Sequence, residues 1–304
     1  GAGIAAVGLG AVQWGTMAKI AASWVISPVM GGVIAALFLT LVRHTILFQP
    51  DRIAAARRWV PVLVGIMCSA FAMYLMVKGL KRVWKFDGEM VAVAGVAVFF
   101  LSWLLFRPVI ARKSVGLENR KKAVHGLFAA PLIAAAALLS FAHGANDVAN
   151  AVGPLAAIVG ALSTGGMAAK VGIPLWVLIV GAVGISVGLA LFGPKLIRTV
   201  GEQITKLNPV RAFCVALSAA ITVLIASGLG LPVSSTHIAV GGIFGVGFLR
   251  EITQNHCAGA KKKKLVRRGH LATIVSAWLV TVPLAALLAA ALFFALHTSK
   301  VSAF

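Results

Sequence analysis

The sequence has 304 residues, of which 60% are hydrophobic and 12% charged, with a net charge of +21 and a mean hydropathy of +0.99. Soluble domains carry about twice that charged fraction, because a globule needs a wettable surface, so the composition points to a membrane protein. The 28 Lys and Arg fall almost entirely between apolar runs, which argues against nucleic acid as a partner; a chain that binds it interleaves basic residues with folded soluble sequence.

In chain order, Gly1–Ala11 resembles the end of an apolar run. A chain that starts without Met, already in apolar sequence, is expected to be trimmed or partial. The runs Ile20–Leu41, Val60–Val77, Met90–Phe106, Leu127–Leu162, Ile173–Phe192, Ala212–Gly230, Ile238–Leu249 (short) and Leu271–Leu296 follow. They are continuous rather than alternating, and most approach the ~20 residues a spanning helix needs, so they predict helices rather than barrel strands. The 36 residues of Leu127–Leu162 would make a helix about 54 Å long, against a hydrocarbon layer of about 30 Å. That predicts a break, with Gly144, Gly153 and Pro154 as the breaking residues. Cys68, Cys214 and Cys257 are too far apart in sequence to form a disulfide framework or a metal spacing.

If each run crosses once, the loops Arg43–Arg58, Arg107–Lys122, Lys195–Arg211 and Arg250–Arg268 share one face and hold 21 of the 28 basic residues. This asymmetry places them in the cytoplasm. The lysine-rich KKKKLVRR, Lys261–Arg268, reads as an anchor near anionic lipid.

The two ends of the chain echo each other. GAGIAAVGL and the following Gly15–Leu39 resemble GGIFGVGFL, Gly241–Leu249, and the following Gly269–Phe294. Trp24 matches Trp278, and Pro28 is one position out of phase with Pro283. Six runs lie between the copies, so the second crosses in the opposite direction, the pattern of an inverted repeat. What precedes Gly241 should then have a counterpart before Gly1.

Of seven acidic residues, only Asp147 is embedded in an apolar run. A carboxylate at that depth costs about 2.5–3.5 kcal/mol or more and marks a functional site by default. It lies in FAHGANDVANAVGP, Phe141–Pro154, beside Asn146 and Asn150, whose amides can coordinate a cation or donate to an anion. Capping of a half-helix by Asn146 or Asp147 is the bland alternative. His143 reads equally as an interhelical hydrogen-bonding residue or a proton carrier.

A second constellation is GLGLPVSSTHIAVGG, Gly228–Gly242. Pro232 breaks the apolar region, and Ser234, Ser235 and Thr236 then offer hydroxyls and free amides where a helix starts. Such a terminus binds an anion without a buried cation, which suits phosphate or sulfate; helix capping and packing is the bland reading. No basic residue lies in either constellation. The anion's charge would be offset by a cation near Asp147, which implies symport with Na⁺ or H⁺. A membrane enzyme using Asp147 with His143 or His237 is disfavoured, since no second carboxylate is embedded. A passive channel would need no site for a coupling cation.

GANDVANAVGP and GLPVSSTH, with VGEQITKLNPVRAF (Val200–Phe213) between them, closely resemble the second half of the inorganic phosphate transporter (PiT) family. The resemblance implies an all-α polytopic membrane helix bundle with inverted repeats and broken or re-entrant helices, working as a homodimer. It divides the chain into residues 1–48, the end of the first repeat; 49–125, connecting helices and a basic loop; and 126–304, the second repeat. Members carry each motif twice and this sequence has each once, so a non-transporting membrane fragment is one alternative. It marks Asn146, Asp147 and Asn150 for the cation, Na⁺ at Asp147 or H⁺, and Ser234, Ser235 and Thr236 with Asn146 and Asp147 for phosphate. The expected function is phosphate:cation symport by alternating access in a bacterial inner membrane, without another cofactor. Sulfate or metal-phosphate transport is the alternative within that fold.

Overall fold

A computed structural model of the chain describes residues 1–80, 86–164, 172–198, 205–228, 233–255 and 265–301. Pro232 lies outside them. The described residues form helices and no strand: α1 (Ala2–Val7), α2 (Trp14–Val42), α3 (Arg52–Tyr74), α4 (Gly88–Lys113), α5 (Lys121–Leu127), α6 (Ala129–Thr164), α7 (Leu175–Arg198), α8 (Pro209–Gly228), α9 (Ser235–Asn255) and α10 (Arg268–Val301). One π-helical turn extends each of α2 and α3. Six helical stretches are long and apolar enough to cross a membrane, in α2, α3, α4, α7, α8 and α10, and a seventh if α5 and the first part of α6 count as one bent span.

Burial sorts the helices. The apolar stretch of α8 is 61% buried, whereas that of α10 is not buried at all. Large side chains such as Phe100 and Leu104 of α4, Val183 and Leu191 of α7, and Leu287 and Leu292 of α10 are exposed. Continuous apolar surface on this scale belongs against lipid. The chain is an all-α, polytopic integral membrane protein.

The centre is built on the crossing of α2 and α9, with α8 packed against both. On α2, Ser23, Ser27, Gly31, Ala35 and Leu39 recur every four residues and are buried, a stripe narrow enough for two backbones to meet. A Cβ on Gly241 would overlap the Pro28 carbonyl, and one on Gly245 would overlap the Gly32 carbonyl. A Cβ on Gly31 would come within 2.6 Å of the Ile238 carbonyl oxygen. At the periphery, α1 packs on α10.

The expected break at Gly144, Gly153 and Pro154 does not occur: Ala129–Thr164 is one helix of 36 residues. An isolated glycine only weakens a helix, and Pro154 removes a single hydrogen bond, to the Asn150 carbonyl, which a membrane helix can tolerate. The chain bends instead by 42° between α5 and α6. Pro131 explains the place, because its ring opposes the carbonyl of Leu127 one turn earlier. Phe128, at the bend, is fully buried and packs edge-on against Phe213 of α8 with ring centres 5.5 Å apart. The long α6 exceeds the hydrocarbon thickness and must tilt or project.

The four basic loops converge. Arg43, Lys121, Arg211 and Arg250, one from each, line a single cavity. Nearby, Glu251 is buried and accepts from the amides of Leu265 (3.1 Å) and Val266 (3.3 Å) and from Arg268 Nη2 (3.1 Å). It clasps the end of α9 to the start of α10. Burial alone would raise the Glu251 pKa, but the Val266 and Leu265 amides and the Arg268 charge outweigh it and hold the carboxyl below its ordinary value.

Two outcomes follow. Gly241→Ala should overpack the α2–α9 seam at about 1–3 kcal/mol and lower the melting temperature in detergent. Gly184→Ala, where a Cβ meets nothing within 4 Å, should not lower it. For Glu251→Gln, a depressed carboxyl pKa adds stability above the unfolded value, about 4.3, and loses it as pH falls through the lower folded value. The unsubstituted chain should therefore melt above the Gln variant at pH 7, and the gap should close below about pH 4.

Candidate functional site

Ser234 caps α9. Its hydroxyl oxygen accepts from the His237 amide at 3.4 Å, and its carbonyl accepts from the Ile238 amide at 3.1 Å. The helix proper starts at Ser235, so the amides of Ser235 and Thr236 have no acceptor in the helical ladder. Ser235 is buried, Ser234 half-buried and Thr236 exposed. The three hydroxyls therefore have different surroundings.

On α6, His143, Asp147 and Asn150 follow at i, i+4 and i+7 and form one stripe, with Asn146 at i+3. Asn150 is exposed; the side chain of Asn146 lies outside what the structure describes. Asp147 retains 26% of its side-chain exposure and His143 37%, so the carboxylate is sheltered but not sealed.

His143 joins the two motifs. Its Nδ1 lies 2.6 Å from Ser235 Oγ and 3.1 Å from Asp147 Oδ2. One ring nitrogen has one proton or one lone pair to offer. With Asp147 ionised, a bare Nδ1 would set a lone pair against the carboxylate. The arrangement therefore selects Nδ1–H, donated between carboxylate and hydroxyl. The Ser235 O–H is then available to another acceptor. Through that nitrogen, Asp147 and Ser235 stand within about 6 Å of each other.

A third helix contributes Tyr74, at the end of α3. It is buried, and the Asp147 charge reaches it. Phe71, one turn earlier, packs edge-on against Phe141 of α6 at 6.1 Å. Sequence reasoning missed Tyr74, although it is the sole tyrosine of the chain and lies inside the apolar run Val60–Val77. His237, on the other side of α9, stacks on Trp278 of α10 with ring centres 3.8 Å apart. Its Nδ1 is buried without a hydrogen-bond partner among the described residues.

Among the described residues, no group of three or more His, Cys, Asp or Glu could hold a metal ion. A monovalent cation at Asp147 would rely on neutral oxygens for its other ligands. Gly184–Gly188 has the G-x-S-x-G spacing of hydrolases, but it lies inside α7, with the Ser186 hydroxyl donating to the Ala182 carbonyl at 2.8 Å. That is not the strand–turn–helix a nucleophile elbow requires.

Residues 1–289 match the model of the phosphate transporter family, PHO4. The chain belongs to the phosphate transporter family. The family's relatives are permeases and transporters, not enzymes. A Helicobacter pylori protein bearing the name "Putative phosphate permease" is 44% identical over 364 aligned residues, covering 97% of this chain and 68% of that one. An Arabidopsis thaliana chloroplastic inorganic phosphate transporter 2-1 is 36% identical over 313, covering 95% and 51%. A solved structure described as the sodium-dependent phosphate transporter superposes with a TM-score of 0.82 at 34% identity, covering 97% of this chain and 70% of that one.

If His143 ties the motifs together, His143→Ala and Ser235→Ala should be non-additive. A double-mutant cycle on detergent melts should return about 0.5–1.5 kcal/mol of coupling. Additivity within about 0.3 kcal/mol would mean that the two side chains do not share a bond.

Proposed function

We propose that this member of the phosphate transporter family is a symporter that carries inorganic phosphate with a cation by alternating access. The observation that carries the reading is the single imidazole nitrogen shared by Asp147 and Ser235. Phosphate binds at the start of α9, to the amides of Ser235 and Thr236 and the hydroxyls of Ser234, Ser235 and Thr236. The cation binds at Asp147, with Asn146 and Asn150 from the same helical stripe. Asn146 and Asp147 also border the phosphate.

Coupling follows from charge. Two unit charges about 6 Å apart at an effective dielectric constant near 20 interact by about 3 kcal/mol, or more than a hundredfold in affinity. An ionised, uncompensated Asp147 therefore repels phosphate from the α9 terminus, and a cation on it removes that repulsion. Phosphate in turn improves the cation's affinity by the same factor, as linkage demands. Na⁺ is favoured over H⁺ as the coupling ion by the relative described as sodium-dependent and by an Asn–Asp–Asn set rich in neutral oxygens.

The inverted repeat has support in the packing. If α1 is the end of a counterpart to α9, and α2 the counterpart of α10, each copy's first element packs on the other copy's second: α1 on α10 and α9 on α2. A pseudo-twofold axis produces that exchange. The division at residues 1–48, 49–125 and 126–304, a homodimer, the bacterial inner membrane and cytoplasmic placement of the basic loops complete the proposal.

Asp147→Asn should abolish radiolabelled phosphate uptake into vesicles while the protein stays in the membrane. Full uptake by that variant would end the proposed role of the carboxylate. Ser235→Ala should raise the phosphate KM by about tenfold, and an unchanged KM would remove that contact.

A further inference from the structure

The cavity where the basic loops converge plays no part in the transport reading. Its volume is about 190 Å³, and Arg43, Lys121, Asn208, Arg211 and Arg250 line it, with no carboxylate among the described lining residues. The simplest account is a positive anchor in water near the lipid surface. Three observations go against that account.

First, the three arginines are half-buried and held by neutral partners. Arg43 Nη1 donates to Thr253 Oγ1 at 3.0 Å, and Arg211 Nη1 to the Lys206 carbonyl at 2.7 Å. Arg250 Nη1 donates to Thr205 Oγ1 and the Lys206 carbonyl, each at 3.3 Å. The three guanidiniums feel one another's charge. Among the described residues, Glu251 is paired with Arg268, Glu118 with Arg120, and Asp51 with the first amides of α3.

Second, Arg43 and Arg250 stand near the C-terminal ends of α2 and α9, where a helix dipole favours cations. Arg211 does not. It is the third residue of α8, capped by Asn208, whose Oδ1 accepts from the Arg211 amide at 3.0 Å. A cation at the positive end of a 20-residue helix has the wrong sign for that dipole. Third, the Nε–H of Arg250 is buried with no acceptor among the described residues. A buried, charged donor left unpaired is costly unless an acceptor arrives.

We infer that this cavity is a second oxyanion site, one that takes a phosphate group. Guanidiniums match phosphate oxygens in a bidentate fork. The positive end of α8 adds to the field they make. Arg250 and Ser235 lie about 22 Å apart along α9 at 1.5 Å per residue, so the two sites occupy opposite ends of one helix. The phosphate group comes either from free inorganic phosphate or from a lipid headgroup. The inference does not depend on the transport reading.

Phenylglyoxal labelling of the whole chain, mapped by mass spectrometry, tests it. In uncharged detergent micelles, inorganic phosphate should slow the labelling of Arg43, Arg211 and Arg250 saturably, and chloride at the same ionic strength should not. If free phosphate has no effect but bilayers containing phosphatidic acid protect the three relative to phosphatidylcholine alone, the source is a headgroup. Arg250→Gln should raise the phosphate needed for half-protection of Arg43 and Arg211 about tenfold or more, with Arg250→Lys intermediate. Asp147→Asn should leave the protection unchanged, whatever it does to uptake. Protection by neither phosphate source, equal protection by chloride, or loss of protection in Asp147→Asn would each overturn the second site.

Discussion

The backbone contact between α2 and α9 sets the rest of the structure in place. In lipid there is no hydrophobic drive to bring two apolar helices together, so close packing and interhelical hydrogen bonds must do it. The α2 stripe of Ser, Ser, Gly, Ala and Leu supplies the packing surface, and Gly241 and Gly245 let the α9 backbone reach it. Once that seam is fixed, the depth of the α9 N-terminus is fixed too. Ser235 can then meet a histidine 92 residues away in sequence. The polar centre depends on a crossing of mostly small residues, Ser23, Ser27, Gly31 and Ala35 against Gly241 and Gly245, none of which belongs to it.

That centre is small and overcommitted. The His143 Nδ1 has two neighbours that can use it, and its proton cannot serve both at full strength. A carboxylate that gains a cation loosens its hold on the proton, and a hydroxyl that donates its own O–H to an anion becomes a better acceptor for it. Both events draw the imidazole toward Ser235. A shared donor of this kind is drawn to one partner or the other by what they bind, as a switching element requires. The stacking of His237 on Trp278 connects the same turn of α9 to α10, so rearrangement at the α9 terminus can be felt at the lipid-facing edge.

The helices were legible because hydrocarbon leaves no choice: a continuous apolar run must satisfy its backbone internally. Asp147 was legible for the complementary reason, as the lone carboxylate with no apolar excuse. His143 was harder, because a histidine in an apolar run has two ordinary uses and only the fold reveals its partner. The bend was misassigned because Pro154 stands in a conspicuous motif, while Pro131 stands among alanines. Tertiary contact decided it: Phe128 is locked against Phe213, and nothing comparable seizes the backbone at Gly144 or Gly153. The convergence of the basic loops was hidden for another reason. Counting charges per loop gives a face of the membrane, but not which arginines turn inward.

On the two proposed readings, the ends of α9 illustrate how depth dictates the device for holding an anion. At the N-terminus, inside the bundle, a buried arginine would need its own counter-charge, and the amides of the first turn supply positive potential without a net charge. At the C-terminal end the sign reverses. Carbonyl ends repel an anion there, so any affinity for one must come from side chains strong enough to outweigh them. Arginine meets that need only where water and headgroups are near enough to limit its desolvation. Arg250 stands at that end, and Arg43 and Arg211 are brought to it from other helices. As proposed, one helix presents neutral donors at one terminus and guanidiniums at the other toward the same chemical group.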